Sequence, residues 1–153
     1  MYKSLMMTIC AILAVVLSAV NSPAQASDGY AHHIVFHVDD NDKAKMNLAL
    51  NNAANVSKYY EDKGQKVQIE IVTYGPGLHM LRADTSPVAA RLESFSMEYA
   101  NVSFAACGNT LNGMTKKEGK TPELVKLDNV HVVPSGVVQL IERQEQGWKY
   151  IRP

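Results

Sequence analysis

Cysteine is scarce, at 2 in 153 residues, too few to frame a disulfide-stapled miniature fold. No Cys-x-x-Cys pair occurs, which excludes thioredoxin-type dithiol exchange within one chain. Neither charge sign is in excess, with 15 Lys+Arg against 15 Asp+Glu; a chain that lives by long-range attraction to polyanions shows a basic surplus, so no nucleic-acid partner is expected. No Gly-x-Gly-x-x-Gly follows a strand-like run, and Gly75-Pro76-Gly77 lacks the Lys-Ser/Thr that a phosphate-cradling loop needs, so no nucleotide cofactor is expected. Metal ligation is equally unsupported. His33 and His37 share a strand face but stand about 13 Å apart in an extended chain, and His32 points the other way. The acidic cluster Asp39-Asp40-Asn41-Asp42 is explained by a strand-ending turn and a helix cap. Repeats, low-complexity stretches and linkers are also missing, which leaves one domain.

One long hydrophobic run is present. Lys3 precedes the apolar residues 5–20 (LMMTICAILAVVLSAV), and Ala24-Gln25-Ala26 supplies small residues where a signal peptidase reads. The expectation is a cleaved signal peptide over residues 1–26, a domain over residues 27–153, a periplasmic or secreted location, and no stable membrane insertion after cleavage. Cys10 lies inside the run behind Met7-Thr8-Ile9, not at a lipidation site. Cys107 is then the single cysteine of the exported chain, and any disulfide it forms is intermolecular. A chain of this size builds a core without a staple, so stability does not require that cysteine.

Residues 33–38 (HIVFHV) read as a strand stopped by the acidic turn. Over residues 43–63, Met46, Ala49, Leu50, Ala53, Ala54, Val56 and Tyr60 recur at helical spacing, with Asp42 placed as the N-cap and Gly64 beyond the end. Val67, Ile69, Ile71 and Thr73 alternate with Gln68, Glu70 and Val72, predicting a half-buried strand that Tyr74-Gly75-Pro76-Gly77 breaks. One helical turn fits residues 78–82. Ser86-Pro87 reads as a helix start followed by the stripe Val88, Leu92, Phe95 and Tyr99. A third strand over residues 102–106 ends at Cys107. Residues 111–114 and 115–118 suit one or two short helices, residues 121–127 another helix, and residues 130–133 a fourth strand. Val137, Leu140 and Ile141 mark a last helix, and residues 148–151 a closing strand. Strands alternating with helices imply crossovers between parallel strands, hence a single three-layer α/β/α domain with a mostly parallel sheet of about five strands.

Ligands of open parallel sheets bind beyond the carboxyl ends of the strands. Those ends collect Asp39-Asp40-Asn41, Gly75-Pro76-Gly77 with His79, Cys107-Gly108-Asn109-Thr110, and Pro134-Ser135-Gly136. A thiolate at such an edge faces free N–H groups and a helix N-terminus, which lower its pKa and make it nucleophilic near neutral pH. Cys107 is the candidate catalytic residue, with His79 as a base or hydrogen-bond partner. Gly108, Asn109, Thr110, Gly75, Gly77, Ser135 and Gly136 are the candidate binding residues. The competing reading makes Cys107 a small buried hydrophobe. Tyr59, Tyr60 and Trp148 have no basic groove beside them and read as core or subunit-contact residues. No Ser/His/Asp or paired-carboxylate arrangement supports a hydrolase.

The stretches VSFAACGNTL (residues 102–111), VVPSGV (132–137) and GWKYIRP (147–153) resemble the DsrE/DsrF-like family, in particular its exported branch. The resemblance spans the chain from the first strand to the last residue, and Cys-x-Asn-Thr is its most specific element. It implies a compact α/β domain, frequently a homo-oligomer, whose cysteine carries sulfur in the members that act in sulfur relay. Carried over by position, Cys107 is the persulfide-bearing residue, with Asn109 and Thr110 as local support. Donor and acceptor proteins for sulfur are the implied partners. The protein is then a sulfurtransferase-like carrier more than a turnover enzyme, with no cofactor. The alternative is a non-catalytic periplasmic module that binds a small anion or assembles as an oligomer, its cysteine incidental. Reactivity of Cys107 separates the two.

Overall fold

The computed structural model describes residues 29–153, so the expected signal peptide lies outside the described residues. Five branched and aromatic runs pair in parallel: β1 (His32–Val38), β2 (Val67–Thr73), β3 (Val102–Cys107), β4 (Val130–Val133) and β5 (Lys149–Ile151). Their order is β4-β3-β2-β1-β5. Between them lie α1 (Lys43–Glu61), a 3₁₀ segment (Gly75–Leu81), α2 (Ala89–Glu98), α3 (Gly108–Glu118) and α4 (Gly136–Glu145).

The order explains the layers. From β1 to β4 each strand steps to its next neighbour in one direction, so right-handed crossovers stack α1, the 3₁₀ segment, α2 and α3 over one face. The return from β4 to β5 runs the opposite way and leaves α4 alone on the other face. The thicker layer buries Phe36, Ile69, Ile71 and Phe104 against Met46, Leu50, Leu92 and Phe95. The thinner layer packs Val35, Val72, Ala105 and Val133 against Leu140 and Trp148. Fully burying an aromatic such as Phe104 stabilises the fold by about 2 kcal/mol.

Local chemistry sets the boundaries. Asp42 caps α1 by accepting from the N–H groups of Ala44 at 2.7 Å and Lys45 at 3.3 Å. Gly64, at φ +66°, turns the chain after the helix. Residues 108–118 form one helix where two short ones were expected as an option.

Three expectations are corrected. Residues 121–127 are extended, not helical: Leu124 bridges Arg82, and hydrogen bonds join Ala83 N to Glu123 O and Val125 N to Leu81 O, both at 2.9 Å. Those cross-chain bonds satisfy the backbone that a helix would otherwise satisfy internally. The α2 helix starts at Ala89, because the Ser86 hydroxyl donates to Met80 O at 2.6 Å and accepts from Val88 N, holding residues 86–88 in a turn. Finally, β2 is buried on both faces because it is the central strand. Glu70, only 1% exposed, is accommodated there by Arg143, Gln139 and His131.

Candidate functional site

In the sheet, the chain leaves β3 toward the thicker layer and leaves β4 toward the thinner one. The carboxyl ends of β3 and β4 are therefore the point at which the chain switches faces, the kind of place where parallel α/β sheets bind ligands. Cys107 ends β3 there, opposite Val133 of β4. Its backbone caps α3, and its side chain, which alternates with Ala106, lies on the α4 face.

Two helix starts meet at this sulfur. Burial of the thiol, 4% exposed, pushes its pKa up. The Thr110 hydroxyl and the N–H groups of Gly136, Thr110 and Asn109 outweigh that effect, and the pKa falls below its ordinary value. The Asn109 N–H also bonds Pro134 O at 3.1 Å. The helix dipoles of α3 and α4 act in the same direction. The result is a buried thiol whose anionic form is favoured by donors from two separate helices.

The glycines set the spacing. A Cβ on Gly136 would stand 3.0 Å from Tyr74 Cβ and Cδ1 and 3.3 Å from Cys107 Cβ, so only glycine brings this amide to the sulfur without displacing a neighbour. A Cβ on Gly108 would meet Val133 O at 3.0 Å, which lets the start of α3 approach the β4 end. Gly75, at φ +51°, donates its N–H to Thr110 Oγ1 at 2.9 Å.

Gly77 packs on the β1 end, where a Cβ would lie 2.2 Å from Val38 O, and its N–H bonds Asp39 O at 3.0 Å. Ser135 is the α4 N-cap, with no hydrogen bond from its side chain to the helix start, while its carbonyl accepts from Gln139 N at 2.9 Å. Asn109 is exposed. The structure draws His79 to Thr85, with Nδ1 2.7 Å from the hydroxyl, whereas the donors around Cys107 come from Thr110, Gly136 and Asn109. Among the described residues, no group of three His, Cys, Asp or Glu side chains is arranged to hold a metal ion, and no helix is long and apolar enough to cross a membrane.

The model of the DsrE/DsrF-like family matches residues 32–153. The chain belongs to the DsrE/DsrF-like family. Membership suggests a sulfur-relay-related role. Among solved structures, this DsrE/DsrF-like chain is similar to MTH1491 from Methanobacterium thermoautotrophicum, described as a protein of unknown function. The two share 34% identity at a TM-score of 0.64, over 80% of this chain and 99% of that one. No curated protein matches.

One residue beside the cysteine, Tyr74, and the two that back it, His37 and Tyr150, were not among the sequence candidates. Tyr74 follows β2 and continues the row in which Thr73 faces Ala106, which sets it beside Cys107. His37 of β1 stacks on Tyr74, and Tyr150 of β5 holds His37. The strand-end position of His37 and Tyr74 was a usable signal, but the register that joins them was not.

Proposed function

We propose that this DsrE/DsrF-like protein is an exported sulfur carrier that holds a persulfide on Cys107. The observation that supports it is the convergence of Thr110 and amides from α3 and α4 on one sulfur where the chain switches faces between β3 and β4. The Cys107 thiolate attacks the outer sulfur of a donor persulfide, a new S–S bond forms, and the donor's S–S bond breaks to release its thiolate. An acceptor thiolate then attacks the outer sulfur on Cys107, takes it as its own persulfide, and regenerates the Cys107 thiolate. No net oxidation occurs in either step. The N–H donors stabilise Cys107 both as attacking anion and as leaving group.

An exposure of 4% narrows the approach to the sulfur, so a small persulfide donor loads it more slowly than it loads an exposed thiol. Export rests on the apolar run before residue 27. Self-association is part of the same reading, since Val137, Val138 and Ile141 are each about half exposed on the outer side of α4.

The test is intact-mass analysis after incubation with glutathione persulfide, beside Cys107→Ser. One added sulfur, removed by reductant and missing in the variant, is the expected result. A Cys107 that stays unmodified and alkylates only at alkaline pH overturns the carrier and supports the anion-binding or assembly module.

A further inference from the structure

Beside the cysteine, the ends of β1, β2 and β5 form an aromatic cluster. His37 is 7% exposed. Its Nδ1 lies 2.7 Å from the Tyr150 hydroxyl, and its ring stacks on Tyr74 at a centroid distance of 4.8 Å and an interplanar angle of 18°. Its Nε2 is buried and has no hydrogen-bond partner among the described residues; Asp39 Oδ2 stands 3.5 Å away. If Tyr150 donates to Nδ1, the proton sits on Nε2 and faces the carboxylate, whereas the other tautomer sets a lone pair against it.

The charged and titratable groups around this ring are Asp39 and Asp40 at the β1 end, Arg152 of the tail, and the phenols of Tyr74 and Tyr150. Burial lowers the His37 pKa; the two carboxylates oppose this and Arg152 adds to it. A buried imidazole with one nitrogen unbonded is an expensive way to fill space.

Tyr74 supplies the link. Its Cβ and Cδ1 are the atoms that crowd Gly136, the residue whose N–H reaches the Cys107 sulfur. Gly136 is wedged between Tyr74 and Cys107, and a shift of the Tyr74 ring changes the room in which that amide is aimed. We propose that His37 is a positioning residue for Cys107: anchored by Tyr150, it backs the Tyr74 ring, which holds Gly136 with its amide on the sulfur. The inference rests on the reading of Cys107 as a reactive thiol.

The experiment measures alkylation rate against pH for the full exported chain and for His37→Ala, His37→Phe and Tyr150→Phe, with thermal unfolding as the control for fold. His37→Ala is expected to move the thiol profile to higher pH and slow alkylation at pH 7 by about fivefold, the effect of one weakened hydrogen bond to the thiolate. His37→Phe keeps a ring on Tyr74 and recovers most of the rate; Tyr150→Phe falls between. A folded His37→Ala protein with the wild-type profile overturns the proposal, and so does a His37→Phe protein as slow as His37→Ala. If His37→Ala does not fold, Tyr74→Leu removes the stack from the other side and carries the same expectation. A wild-type thiol that reacts only at alkaline pH defeats the carrier reading instead, while a shift between wild type and variant still registers the positioning.

Discussion

Thr110 accepts the Gly75 N–H on its hydroxyl oxygen at 2.9 Å, and the same hydroxyl is the leading group that lowers the pKa of the Cys107 thiol. One side chain thus ties the loop after β2 to the start of α3 and tunes the thiol. Thr110→Val removes both bonds. It is expected to cost about 1–2 kcal/mol for the orphaned Gly75 N–H, and to slow Cys107 alkylation at pH 7 by about fivefold, from one lost hydrogen bond to the thiolate. Thr110→Ser should keep both. A valine variant with the wild-type pH profile and melting temperature would show that the hydroxyl sets neither.

Two glycines should respond in opposite directions. A Cβ on Gly77 lies 2.2 Å from Val38 O and 2.8 Å from Asp39 Cα, both backbone atoms that cannot swing away. Gly77→Ala should destabilise by about 3 kcal/mol or more. Gly113, inside α3, has nothing within 4 Å of its virtual Cβ, and Gly113→Ala should stabilise by about 0.5–1 kcal/mol. Urea titration of the two variants reads both signs.

Glu70 makes stability depend on acid. Burial pushes its carboxyl pKa up, but hydrogen bonds from His131, Arg143 and Gln139 bring it down to about 2 from 4.5. The folded protein therefore binds this proton more weakly than the unfolded chain does. The stabilisation is complete above pH 4.5 and disappears as pH falls toward 2, a loss of about 3 kcal/mol for a shift of this size. Urea midpoints at neutral pH and near pH 2 test it against Glu70→Gln, whose deficit should shrink on acidification. Parallel pH dependence in the two proteins rules Glu70 out as the source.

Self-association is tested on α4. Val138→Glu with Ile141→Glu charges the exposed stripe without touching buried Leu140. Light scattering should find the wild-type chain as a multimer and the double variant as a folded monomer. A monomeric wild type at working concentration sinks the proposal.

Much of the fold was legible because strands and helices differ in hydrophobic period. The 3.6-residue recurrence from Met46 to Tyr60 and the apolar run of β1 are local properties of the chain. The segment around Leu124 was misread for the same reason: its partner, Arg82, lies far off in sequence, and no local pattern records it. Glu70 misled in a similar way, because alternation marked it as solvent-facing while its neutralising partners come from α4 and β4.

By itself, then, the amino-acid order determined that strands alternate with helices, and that Cys107 and its glycine stand at a strand's carboxyl end. Only the tertiary structure decided what surrounds that sulfur. The return of the chain from β4 across the sheet to β5 carries α4 over the opposite face. That crossing sets Gly136 between Tyr74 and Cys107 and brings Tyr150 to His37. Periodicity reports which way a residue faces, whereas the order of strands follows from long-range packing, and the cysteine's environment depends on that order.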